Sequence, residues 1–229
     1  MKVNVLVAGR TGVGKTSLIK AMTYAGTVPE KAIGEKGAPC TRGYDEYETD
    51  AAIFVDAEGM DGGQSVKEYL DFINDERRRR MSKGKAEQIF HCVWYCIDGS
   101  GARVQNGDRE IIKELSPHVI VAVTKAELMR DKQKQDMIDS LLEFHPRDQL
   151  LIVSSHKATG LDELASNTMR VGRVGINEAK KWECYYAEVA AIRRRRRTFR
   201  TNLPWLDRLW LEVFDPLSNE LCMNDEGDI

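Results

Sequence analysis

The run Gly9-Arg10-Thr11-Gly12-Val13-Gly14-Lys15-Thr16 constrains this chain more than any other feature. It has the spacing GxxxxGK followed by Ser or Thr, and it lies between an apolar stretch, Val3 to Ala8, and a helical pattern through Leu18, Ile19 and Met22. Glycines at a strand-to-helix turn let successive backbone N–H groups point inward, and the helix N-terminus adds partial positive charge, so the loop is a cradle for phosphates. Lys15 is placed to reach the β and γ phosphates and Thr16 to offer its hydroxyl to Mg²⁺. Gly12, Val13, Gly14, Lys15, Thr16 and Ser17 are the expected phosphate contacts.

Apolar runs that read as strands recur at Val3 to Ala8, Ala51 to Val55, Ile89 to Ile97, Val119 to Val123 and Leu150 to Val153, with a short hairpin partner at Tyr44 to Glu48. Helical patterns separate most of them: Val66 to about Arg80, opened by a Ser65/Glu68 capping box, then Asn106 to Leu115, Lys132 to Phe144 and Leu161 to Met169. Alternating strands and helices predict a doubly wound α/β domain with a mainly parallel sheet and one antiparallel strand. Beyond Met169 two further helices are expected, one through Ile176, Trp182 and Val189 and one through Leu206, Leu209 and Val213, followed by an acidic tail. The domain reading is therefore 1–170 for the α/β domain and 171–229 for a helical extension.

Composition bounds the setting. With 42% hydrophobic and 31% charged residues and no apolar run near the roughly 20 residues of a membrane span, the chain reads as a globular protein rather than an integral membrane protein. The first residues read as a strand rather than a signal peptide, and a cytoplasmic location is expected. The five cysteines and four histidines form no metal-ligand spacing, and Cys92 and Cys96 are expected to be core thiols on one strand face.

Further motifs fall at strand ends. Asp56-Ala57-Glu58-Gly59 follows one apolar run, Thr124-Lys125-Ala126-Glu127 another and Ser154-Ser155-His156 a third. Ligands of open α/β sheets bind at the carboxyl ends of the strands. There Asp56 can hold a metal through water, and Gly59 can present its N–H to a γ phosphate.

Taken in order, these motifs resemble the GTPase superfamily over about residues 1 to 168, and in detail its Era/TrmE class and the small YfjP-like proteins. Ala38-Pro39-Cys40-Thr41-Arg42-Gly43-Tyr44 and His91-Cys92-Val93-Trp94-Tyr95-Cys96-Ile97-Asp98 are similar to segments of that branch. The resemblance implies a Mg²⁺-dependent GTP/GDP-binding switch. It makes Thr41 the threonine that touches Mg²⁺ and γ phosphate, and it places Lys125 along the purine. Glu127 then accepts the guanine N1 and N2 hydrogens, and the Ser155 and His156 backbone meets O6. The implied metal set is Thr16, Thr41 and Asp56; the implied catalytic set is Lys15, Thr41 and Gly59.

Four positions depart from the family pattern. Glu127 stands where Asp is usual and Thr124 where Asn is commoner, so weaker guanine selectivity is expected; a charge-assisted pair is worth roughly 1.5–3 kcal/mol and depends on geometry. Met60 stands where many family members have a water-orienting glutamine, and Gly12 where some relatives use an asparagine to hold potassium. Unaided hydrolysis at or below roughly 10⁻⁴ to 10⁻² s⁻¹ is expected, with Asp61, Gln64 or a partner's residue as the alternatives for orienting water. Binding with little hydrolysis, coupled to dimer or filament formation, is the second function reading, and a phosphotransferase using the same cradle is a third.

Two basic clusters remain. Arg77 to Arg80 at a helix end reads mainly as complementation of the helix dipole, with an arginine finger or a contact to an acidic partner as the alternatives. Five consecutive arginines, Arg193, Arg194, Arg195, Arg196 and Arg197, exceed that need, and anionic lipid, RNA phosphate or an acidic protein surface all stay open as partners. The face of Trp205, Leu206, Leu209 and Trp210 packs either on the α/β domain or on a membrane surface or partner.

Overall fold

The computed structural model describes residues 1–24, 43–101 and 103–200, with residues 192–200 as helix backbone only. Thr41 and its segment, the side chains of Arg193 to Arg197, the helix expected around Leu206 to Val213 and the acidic tail lie outside the described residues.

Six strands among the described residues form one sheet: β1 (Val3–Gly9), β2 (Tyr44–Glu48), β3 (Ala52–Ala57), β4 (Cys92–Asp98), β5 (Val119–Thr124) and β6 (Leu150–Ile152). Their order is β2-β3-β1-β4-β5-β6. Only β2 and β3 pair antiparallel; the other four pairings are parallel. Among the described residues five α-helices accompany the sheet: α1 (Lys15–Tyr24), α2 (Val66–Met81), α3 (Asn106–Leu115), α4 (Asp131–Leu142) and α5 (Leu161–Arg200). The doubly wound α/β expectation is met, and the reason is visible along β4. Cys92, Trp94 and Cys96 enter one core while Val93, Tyr95 and Ile97 enter the other, so a strand buried on both faces reads as one unbroken apolar run. The two thiols do share a face and are fully buried.

Local signals place the ends well. Ser65 accepts from the Glu68 N–H at 3.2 Å, and Glu68 Oε2 accepts from the Ser65 N–H at 2.8 Å, closing the capping box of α2. Strand β3 runs on through Ala57, so Asp56 belongs to the strand rather than to the turn after it. The short run Ile89 to His91 expected at the start of β4 is instead a lead-in. There His91 is buried, accepts from the Asn4 N–H through Nδ1 (2.9 Å) and donates from Nε2 to Ala86 O (2.9 Å).

The expectation that one helix ends near Met169 and another starts near Ile176 is corrected: α5 is continuous from Leu161. Gly172 and Gly175 lie between those points and each costs about 1 kcal/mol of helix propensity relative to Ala. Both are contact points instead. A Cβ on Gly172 would lie 2.4 Å from Val3 Cγ1, and one on Gly175 would lie 2.0 Å from His91 O. Missing side chains let the helix lie directly on β1 and the lead-in to β4, and the Trp94 indole N–H donating to Thr168 Oγ1 at 2.9 Å fixes its height.

The chain divides into two compact units, Met1–Glu183 and Cys184–Ile229. Within the second, Tyr185 and Tyr186 are exposed on α5. Among the described residues no helix is long and apolar enough to cross a membrane.

Candidate functional site

At the carboxyl end of β1 the chain turns through Gly9 to Gly14 into α1. Lys15 Nζ donates to Gly9 O and Arg10 O, both at 3.1 Å, which holds the ammonium inside the loop. Burial pulls the Lys15 pKa down, opposed mainly by Asp56, with a contribution from Asp61. Thr16 Oγ1 donates to Asp56 Oδ2 at 2.5 Å, so the hydroxyl and carboxylate expected to serve a metal are brought together across α1 and β3. Burial pushes the Asp56 carboxyl up, while the Thr16 hydrogen bond and Lys15 hold it back. Its Oδ1 is buried and has no hydrogen-bond partner.

Gly59 passes so close to the loop that a Cβ there would lie 2.6 Å from Thr11 N and Cα and 2.8 Å from Lys15 Nζ. No side chain fits, which is the physical reason for glycine. The next residue is zipped to the same loop: Met60 N–H donates to Gly9 O (3.2 Å) and Thr11 N–H to Met60 O (3.1 Å). Met60 itself is in the core with Tyr69 and Ile73, so its side chain is withdrawn from the loop rather than standing where a glutamine would orient water.

The second half of the site is built on β5 and the loop after β6. Thr124 Oγ1 lies within donating distance of Val13 O (2.6 Å) and Ile97 O (3.0 Å), tying the end of β5 to the phosphate-binding loop. Thr124 thus fastens two loops with a hydroxyl. Lys125 has a left-handed backbone, φ 55, and its Nζ donates to Gly12 O (2.9 Å) and Asp98 Oδ2 (2.6 Å). Glu127 follows on a one-turn 3₁₀ helix; the Ser154 hydroxyl and its own N–H hold its carboxyl below the ordinary range. Its Oε2 is shielded from solvent without a hydrogen-bond partner. Ser155 is half-buried and His156 exposed in the turn after β6.

The structure therefore gathers Gly12, Val13, Gly14, Lys15, Thr16, Asp56 and Gly59 at one end of the rim, and Thr124, Lys125 and Glu127 at the other. Ser17 is exposed on the first turn of α1. Two contributors were not singled out from sequence. Thr11 is an unspecified position of the GxxxxGK spacing, yet its hydroxyl lies 3.1 Å from Gly59 O and 2.6 Å from Asp61 Oδ1. Asp98 lies one residue past the apolar run Ile89 to Ile97 and enters the sequence reading only within the family-like segment, though its place at the carboxyl end of β4 is the signal that finds it. Within the Arg77 to Arg80 cluster, Arg79 and Arg80 pair with buried Glu76, Arg80 also reaches Glu46, and its guanidinium covers Phe90, so these two are tied into the domain.

Does this geometry suit a metal? Thr16 and Asp56 supply a neutral and an anionic oxygen, one with an unused lone-pair direction, which is a donor set for Mg²⁺ completed by water and phosphate. Among the described residues no group of three or more His, Cys, Asp or Glu is placed to hold a metal by itself.

A family model described as 50S ribosome-binding GTPase matches residues 4–125, more than half of the chain. No curated protein matches the chain significantly. Among solved structures it is similar to a probable GTP-binding protein engB, with TM-score 0.53 and 22% identity over 75% of this chain and 99% of that one. The septin GTPase domain of Chlamydomonas reinhardtii is similar at TM-score 0.54 and 16% identity, covering 82% of this chain and 98% of that one. Era, in complex with MgGDPNP and a 16S ribosomal RNA fragment, is similar at TM-score 0.50 and 21% identity over 75% of this chain and 57% of that one. At these identities the neighbours speak to the fold, a six-stranded GTPase sheet. The loop geometry and the matched segment together make the chain a P-loop GTPase, a member of the 50S ribosome-binding GTPase family.

Proposed function

We propose that this protein is a Mg²⁺-dependent GTP/GDP switch with slow unassisted hydrolysis, of the Era/TrmE class. The observation that carries the reading is a pair of orphaned acceptors. Four side-chain acceptors are shielded without a partner among the described residues: Gln88 Oε1 and Gln149 Oε1 precede β4 and β6, whereas Asp56 Oδ1 lies at the phosphate end of the rim and Oε2 of the half-buried Glu127, whose carboxyl also accepts from Ser154, at the base end. A buried acceptor without a donor costs about 1–3 kcal/mol, and such atoms are rare in folded proteins unless something else satisfies them. Hydrated Mg²⁺ would satisfy Asp56 Oδ1 and the guanine N1 and N2 hydrogens Glu127 Oε2. Adenine has no N1 hydrogen and would leave Glu127 unpaired.

In this reading Lys15 and the Gly59 N–H hold the terminal phosphate, Thr16, Asp56 and Thr41 serve the metal, and Lys125 with Ser155 and His156 frames the base. Residues 1–170 act as the nucleotide-binding domain. The extension 171–229 relays nucleotide state to a protein effector, in the cytoplasm or, through Arg193 to Arg197, at an anionic membrane or RNA. Purified protein should release phosphate from labelled GTP only with Mg²⁺, and Lys15→Ala should lower GTP affinity by about 3 kcal/mol, roughly 100-fold. Unchanged phosphate release in that variant would sink the proposal.

The burial of Met60 favours a second reading, a module that binds GTP or GDP with little hydrolysis and assembles as a homodimer or filament. Light scattering with GTP, GDP and no nucleotide separates the two, since a size that ignores nucleotide argues against assembly.

A further inference from the structure

With Met60 in the core and its backbone paired to Gly9 and Thr11, the first side chain after Gly59 to reach the rim of the phosphate-binding loop is Asp61. It does not hang free. Thr11 Oγ1, which also lies 3.1 Å from Gly59 O, is 2.6 Å from Asp61 Oδ1, so the loop itself holds the carboxylate. The same stretch sits against Lys15, since a Cβ on Gly59 would be 2.8 Å from Nζ. An acidic group is thereby fastened at the edge where Lys15 and the Gly59 N–H would meet a third phosphate.

Electrostatics turns that placement into a preference. Thr11 holds the Asp61 carboxylate beside the stretch that lies against Lys15, where a γ phosphate would approach that ammonium. The two anions would repel each other there, whereas a diphosphate ends before this edge. We propose that Asp61, positioned by Thr11, biases the site toward the nucleoside diphosphate over the triphosphate. The inference rests on the guanine-nucleotide reading above. Because Asp61 is exposed, solvent screens its charge and the bias is moderate rather than absolute.

The test is equilibrium titration of the full chain with fluorescent GDP and a fluorescent β,γ-imido analogue of GTP at fixed Mg²⁺. Asp61→Asn removes the charge and nearly keeps the shape. It should raise affinity for the imido analogue relative to GDP about tenfold, equivalent to about 1.4 kcal/mol, with GDP affinity changed less than about twofold. Thr11→Val, which frees the carboxylate from the loop, should move the ratio the same way by less, and Thr11→Ser should keep the wild-type ratio. Added KCl should shrink the preference in wild type but not in Asp61→Asn. A ratio in Asp61→Asn that is unchanged or falls overturns the proposal; if phosphate release is lost at an unchanged ratio, Asp61 orients water instead. Wild-type protein that binds neither nucleotide would refute the guanine-nucleotide reading itself, a result distinct from binding both with an unaltered ratio.

Discussion

The two ends of the site are built from different materials. At the phosphate end the backbone dominates: Gly9, Thr11 and Met60 exchange main-chain hydrogen bonds, and Gly59 has no room for a Cβ. At the base end side chains make the connections, through the Thr124 hydroxyl and the Lys125 ammonium. The difference teaches where variation is tolerated. A backbone cradle depends on glycine and on spacing, so it keeps a recognisable motif. Side-chain contacts can be remade with a hydroxyl in place of an amide or with a longer acid, as Thr124 and Glu127 do.

The largest expected effect is at the backbone end. Gly59→Ala puts a methyl group 2.6 Å from Thr11 backbone atoms. Overpacking of this kind costs about 1–3 kcal/mol, to be read as a lower thermal midpoint together with weakened nucleotide binding. Gly62→Ala is the internal comparison, because nothing lies within 4 Å of its added Cβ. If both variants behaved alike, the contrast between the two ends would lose its basis.

Asp56 gives the next effect and a sign to check. Burial, its largest influence, raises the carboxyl above its ordinary value in the folded protein despite Thr16 and Lys15. Its linkage contribution to stability is therefore fully present below the unfolded-state pKa, near 4, and lost as pH rises through the folded-state pKa. Nucleotide-free Asp56→Asn protein should be more stable at neutral pH by about 1 kcal/mol, measured by denaturant unfolding, because a charge whose burial outweighs what Thr16 and Lys15 return is gone. In wild type, acidification through that raised pKa should increase the Mg²⁺ concentration required for GTP binding. A Mg²⁺ requirement independent of pH would separate Asp56 from the metal.

The smallest effect belongs to the base end. Glu127→Asp shortens the acceptor by one methylene and should change the GTP over ATP preference upward by severalfold, about 1 kcal/mol or less, in competition binding. A fall in selectivity would mean that this loop is fitted to the longer acid, and would sharpen the comparison by showing that side-chain fastenings are tuned rather than merely permitted.

Much of this molecule is legible in its sequence because the governing interactions are local. The Ser65/Glu68 box starts α2 where the pattern places it, and α3 spans Asn106–Leu115 as its periodicity predicts. Glycine spacing, Lys15 and Thr16 specify the cradle because the turn and the helix N-terminus lie within eight consecutive residues. Asp98 and Thr11 were harder to see, since a hydroxyl or a carboxylate has no meaning until a distant partner is beside it.

By itself, then, the sequence determined the alternating α/β plan, the phosphate-binding loop and the set of acids at the strand ends, all of which follow from periodicity and short-range chemistry. Only the tertiary structure decided that Met60 turns into the core, that Thr11 grips Asp61, and that α5 runs unbroken through Gly172 and Gly175. Each of those outcomes depends on space between elements far apart in the chain: a cavity for a thioether, a loop within hydrogen-bonding distance, and a helix close enough to β1 and His91 that only glycine fits.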